Sequence, residues 1–141
     1  MDGYVRAFAK LLAFALFSIT HLGCESAPPG PETVPITGKI EFVKGGDIAK
    51  LHDREGAVEF ESVEKPGTKA LGAINADGTF TMTTLVEAAG KEGVVPGKHR
   101  VRMNLDDDTK NLVHPKFLSF EKSGVVVTVP SNEPILIKIW K

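Results

Sequence analysis

Asp106, Asp107 and Asp108 form the densest charge cluster in this chain. Three consecutive carboxylates could gather a hard cation such as Ca²⁺, which needs several oxygen ligands. No second acidic cluster at a fixed spacing supplies the missing ones. The run follows an apolar stretch ending at Leu105, so the expectation is a solvated loop that keeps a sheet edge soluble and holds no metal. Asn75-Ala76-Asp77-Gly78 could open a calcium loop, but EF-hand spacing asks for an acid at 73 and a bidentate Glu at 84, where Ala73 and Thr84 stand. A hairpin turn with Gly78 at positive φ is expected instead, Phe80 beginning the return strand. His52, His99 and His114 lie far apart in sequence, with no i, i+2 or i, i+4 pair to suggest zinc. His52 and His114 read as loop residues and His99 as a satisfied strand residue.

Ser119-x-x-Lys122 has the spacing of a lysine-activated serine, and Lys122-Ser123-Gly124 nearly reproduces its companion motif, K-T-G. That chemistry needs the serine to open a helix and the second motif to lie on a distant strand, whereas here the two share Lys122. No G-x-S-x-G, H-E-x-x-H or phosphate-cradling glycine loop occurs. Lys98, Arg100 and Arg102 alternate along one run and would present three cations on one face, suited to an anionic polysaccharide. Trp140 is out of phase with Ile135, Ile137 and Ile139, so it should point away from the face they bury; sugars stack on exposed rings, but one ring is thin support for a sugar platform, and packing over a sheet edge is the favoured role. These four residues are the candidate ligand-binding set. No catalytic set and no cofactor is expected.

Cys24 is the only cysteine, so it has no intramolecular disulfide partner. It stands where an apolar run gives way to proline and glycine. Arg6 and Lys10 precede Leu11–Ile19, the pattern of a short export signal, and Lys10 denies the segment the roughly 20 apolar residues of a membrane span. His21-Leu22-Gly23-Cys24 resembles the lipobox of bacterial lipoproteins, with His21 where an aliphatic residue is usual. The resemblance implies diacylglycerol on the Cys24 sulfur, removal of residues 1–23, and a domain held at a bilayer without spanning it. Glu25 in place of Asp after the cysteine, by resemblance to enterobacterial sorting rules, implies the outer membrane over the inner.

The full chain of 141 residues has a formal charge of -1. Losing residues 1–23, which include Asp2, Arg6 and Lys10, leaves 118 residues at -2, with no electrostatic case for nucleic acid. Residues 24–33 are rich in proline and are expected to form a tether. From residue 34 to 141 the apolar residues recur with period two, most clearly at Ile36/Gly38/Ile40/Phe42, Val58/Phe60, Phe80/Met82/Thr84, His99/Val101/Met103/Leu105, Val125/Val127/Val129 and Ile135/Ile137/Ile139. Gly45-Gly46, Pro66-Gly67, Asp77-Gly78, Pro96-Gly97 and Ser123-Gly124 punctuate them. The spacing predicts an all-β, seven-stranded antiparallel sandwich without a convincing helix, Leu85–Ala89 being the one stretch with room for a helical turn before Gly90 and Gly93 cut it short. The loop from Gly45 to Gly56 leaves the register of the first hairpin least secure.

Ile36-Thr37-Gly38-Lys39-Ile40, Asn75-Ala76-Asp77-Gly78-Thr79-Phe80 and Pro96-Gly97-Lys98-His99-Arg100-Val101 resemble the opening strand, "DG-F" hairpin and "PG-Y-V" strand of carboxypeptidase-regulatory-like, transthyretin-type (prealbumin-like) domains. His114-Pro115-Lys116-Phe117 and Lys122-Ser123-Gly124-Val125 resemble segments of small planctomycete-type envelope lipoproteins that carry such a domain. The likeness speaks to fold and little to function. The urate-pathway hydrolase of that fold ends in Tyr-Arg-Gly-Ser, and this chain ends Ile-Lys-Ile-Trp-Lys. The expectation is therefore a non-catalytic, lipid-anchored protein of the cell envelope, periplasmic or surface-exposed, acting as a structural or interaction module. The alternatives are a glycan- or peptide-binding accessory domain whose partner is an envelope protein or polysaccharide, and a minor enzymatic or metal-dependent role for Asp106 to Asp108 with His114.

Overall fold

A computed structural model describes residues 30–86 and 89–141. Cys24, the export segment and most of the tether lie outside the described residues. The elements run β1 (Thr37–Lys44), α1 (Ile48–Asp53), β2 (Ala57–Ser62), β3 (Lys69–Ala73), β4 (Thr79–Thr81), β5 (Thr83–Val86), β6 (Ala89–Glu92), β7 (Gly97–Asn104), 3₁₀ turns at Lys110–Leu112 and Pro115–Leu118, α2 (Phe120–Ser123), β8 (Val126–Val129) and β9 (Ile135–Trp140). A three-stranded sheet has the order β4-β1-β9 and a six-stranded sheet the order β6-β5-β3-β2-β7-β8.

The period-two alternation does what it predicts: one face of each sheet is apolar, and the two apolar faces enclose the core. Ile40, Phe80, Ile137 and Ile139 come from the smaller sheet, Val58, Phe60, Val101 and Met103 from the larger. Phe60 meets Phe80 edge to face, with ring centroids 6.2 Å apart. The architecture is all-β and sandwich-like.

Strand number and direction differ from the sequence expectation. The described residues hold nine strands where seven were expected, and β1 and β9 pair in parallel, Ile40 opposite Ile137 and Phe42 opposite Ile139. The run Phe80/Met82/Thr84 is two strands: it bends at buried Met82, with β4 pairing to β1 and β5 to β3. Gly72 makes the bend feasible, since a Cβ there would lie 2.6 Å from Met82 Sδ and 2.7 Å from the Thr81 carbonyl oxygen. β6, of sequence AGKE, has no alternation by which to be found. Leu85, Val86 and Ala89, expected in a helical turn, are strand residues paired across β5 and β6.

The first hairpin does not form. The charged stretch after β1 folds as α1, capped by the Asp47 carboxylate accepting from Ala49 N at 3.0 Å. It carries the chain from the smaller sheet to the larger while seating Leu51 fully in the core. Gly78 takes the expected positive φ, 84°, but the expected hairpin is absent: β4 pairs with β1, and β3 with β2 and β5. The Asp77 carboxylate accepts from Thr79 N at 2.9 Å and Thr79 Oγ1 at 2.6 Å, and these bonds hold it below the usual carboxylate range. The turn joins strands of different sheets.

Candidate functional site

The outer face of the larger sheet holds the most organised polar chemistry of the domain. Across the β2–β7 pair, Glu59 stands opposite Arg102 and Glu61 opposite Arg100. The Glu59 Oε2 atom accepts from Arg102 Nε at 2.7 Å and faces Nη2 at 2.6 Å, while its Oε1 meets Lys69 Nζ of β3 at 3.3 Å. Arg100 Nη2 donates to Glu61 at 2.6 Å, and its Nη1 lies 3.6 Å from Glu121 on α2. Phe120, also on α2, spreads its ring across all three cations, with Arg102 at 4.7 Å, Lys69 at 5.5 Å and Arg100 at 5.9 Å from the centroid.

Three carboxylates thus answer three cations. Glu59 is buried, and so is the Phe120 ring that covers the cluster. A buried carboxylate without partners would be costly; with three nitrogens around it, Glu59 becomes a fastener joining β3, β2 and β7. The expected basic face of Lys98, Arg100 and Arg102 is therefore divided. Both arginines are spent inside the ladder, and Lys98 alone stands exposed, opposite Thr128.

No family model, curated protein or solved structure matches the chain.

Trp140 is half-buried and packs against the margin of the core. Phe117 of the second 3₁₀ turn packs edge to face against it at 4.7 Å, and Lys116 Nζ sits 4.3 Å from the indole centroid. His114 N donates to the Trp140 carbonyl at 2.8 Å. The ring thus closes the end of the smaller sheet beneath residues 114–117. It is not brought together with Arg100 and Arg102, which lie on the larger sheet.

Asp106, Asp107 and Asp108 are exposed. Asp107 pairs with Lys110, whose hydrogen bond and charge hold its carboxyl below the usual range. Asp108 lies 3.9 Å from Arg54. Among the described residues no three His, Cys, Asp or Glu side chains cluster as a metal site would. The Ser119 hydroxyl donates to Glu121 at 2.8 Å instead of meeting Lys122, and this bond holds Glu121 below its ordinary value.

His52 Nδ1 lies 3.0 Å from the Ile74 carbonyl oxygen, and His114 caps the second 3₁₀ turn. His99 departs from expectation. It is wholly buried, and Nε2 lies 2.8 Å from the Val95 carbonyl oxygen, which assigns that nitrogen the proton, but Nδ1 is buried with no partner. Burial pushes its pKa below the ordinary histidine value.

Two features escaped sequence reasoning. A shallow, largely apolar cleft of about 540 Å³ opens on the smaller sheet, where Lys39 is its one titratable lining residue. The end of the tether is also fixed. Lys91 Nζ donates to the Pro31 carbonyl at 2.8 Å, Thr33 Oγ1 to the Glu92 carbonyl at 2.7 Å, and Val34 and Val94 exchange backbone hydrogen bonds at 2.8 and 2.9 Å. Nothing in the composition of residues 30–34 signals those partners. Among the described residues no helix is long and apolar enough to cross a membrane.

Proposed function

We propose that this chain is a non-catalytic, lipid-anchored protein of the cell envelope, joined to a bilayer through Cys24 and serving as a structural or interaction module. The closed ladder on the larger sheet is the observation that favours a structural role over a polysaccharide-binding one. Its two arginines, the strongest candidates for an anionic ligand, already have carboxylate partners, and Phe120 covers them. The anchor itself rests on Gly23-Cys24 behind a short apolar run and before a proline-rich stretch. The turn and strand residues that resemble transthyretin-type domains, and the two-sheet architecture, support assigning the domain to that fold and the chain to the small planctomycete-type envelope lipoproteins.

The test is expression of the full chain and its Cys24→Ala variant in a diderm bacterium. Mass spectrometry of the N-terminal peptide should find residues 1–23 removed and a thioether-linked diacylglycerol on Cys24, with the protein in the outer-membrane fraction. The variant should retain its leader or leave the membrane fraction. An unmodified Cys24 in processed protein would refute the anchor. Recovery of a defined polysaccharide with the purified full chain would replace the structural reading with a binding one.

A further inference from the structure

Where the anchored chain would leave the folded domain is fixed by its contacts. A Cβ at Gly30 would lie 3.6 Å from Val86 Cγ1 and 3.7 Å from Lys91 Cδ, so this residue sits against β5 and β6. From there to Val34 the chain is held by Lys91, Glu92 and Val94. Gly93 allows the close approach, since a Cβ there would stand 2.6 Å from the Val34 backbone. Six residue steps separate Gly30 from Cys24, and extended chain covers at most ~3.6 Å per residue, so an anchor at Cys24 can be at most about 22 Å from the β5–β6 edge.

We propose that this edge is a docking surface for the lipid bilayer, with Leu85 as its exposed apolar contact; the proposal rests on lipidation of Cys24. Leu85 is 54% exposed on β5, and its pairing with Gly90 leaves no side chain to cover it on the β6 side. The described residue nearest Cys24 in the chain lies on this edge, so this is the side of the sheet nearest the anchor and β8 is the side farthest from it. Val126 of β8 is equally exposed, at 58%. Both residues lie on the outer face of the sheet, four strands apart, which at ~4.8 Å per strand is about 19 Å. A bilayer that touches Leu85 through this edge does not touch Val126.

The experiment attaches an environment-sensitive fluorophore to Leu85→Cys or Val126→Cys in the full chain. The mature protein is purified from membranes and reconstituted in phosphatidylethanolamine/phosphatidylglycerol vesicles bearing headgroup-level spin-label quenchers. Both sites are exposed, so neither label disturbs the core. The expected result is a blue-shifted emission at position 85 and quenching there at least threefold stronger than at 126. Equal quenching at both sites would mean the sheet lies flat, and stronger quenching at 126 would invert the orientation; either overturns the proposal. Mass analysis of the N-terminal peptide separates the two readings. Weak quenching at 85 with diacylglycerol on Cys24 refutes the docking surface alone, and an unlipidated Cys24 refutes the anchor and the docking surface together.

Discussion

His99 places a titratable ring inside the core with only one of its nitrogens partnered. Desolvation lowers its pKa from 6.5, outweighing the opposing pull of the Val95 carbonyl and of Glu64. The unfolded chain therefore takes up the proton first as pH falls. The stability that this neutral ring contributes is fully present above about 6.5 and is lost as pH drops through the window down to the lowered folded value. Urea unfolding at pH 7.5 and pH 5.5 should show lower stability at the acidic value, and His99→Phe should reduce that difference. An unchanged difference in the variant would assign it to other groups. Gly72 gives a second residue-level prediction. Gly72→Ala sets a methyl against the Thr81 carbonyl and Met82 Sδ, and overpacking of this kind costs about 1–3 kcal/mol, measurable as a lower urea midpoint. Alternation alone told that His99 belongs to a strand and points inward with Val101 and Met103. That one nitrogen lacks a partner was not legible, because it depends on what the opposite sheet and the preceding loop bring near the ring.

The ladder joining β3, β2 and β7 is an element-level device. Glu59→Ala would leave Arg102 and Lys69 without their shared carboxylate beneath Phe120, a loss of about 2–3 kcal/mol after allowance for the partial exposure of both cations. Lys98→Glu, outside the ladder, should leave the urea midpoint nearly unchanged. It is also the clean test of any contact with an anionic glycan, because reversing Arg100 and Arg102 would break the sheet fastening as well as the charge. The pieces of this device were visible in the sequence: carboxylates at 59 and 61, and guanidinium groups at 100 and 102, share the same two-residue spacing. Their partnership was not, since it requires β2 and β7 to be neighbours across 39 to 43 residues. α1 escaped for another reason. Six residues with one buried side chain, Leu51, present no helical period to detect.

For the whole molecule, the alternating runs specified two apolar faces, and hence two packed sheets, but strand order followed from connections that composition does not encode. The crossing through α1 prevents β1 from turning back on β2. It leaves β1 to be flanked by β4 and, from the far end of the chain, by β9. Deleting residues 135–141 removes Ile135, Ile137 and Ile139 from the core and strips β1 of its parallel partner. The shortened protein should lose its cooperative urea transition, and retention of that transition would show the larger sheet to be stable alone. The same pairing has a consequence for biosynthesis. A nascent chain emerging from the ribosome presents β1 early, and it cannot seal that strand until residues 135–140 follow, almost a hundred residues later. The smaller sheet therefore lacks the β9 strand through most of translation, until every strand of the larger sheet has emerged.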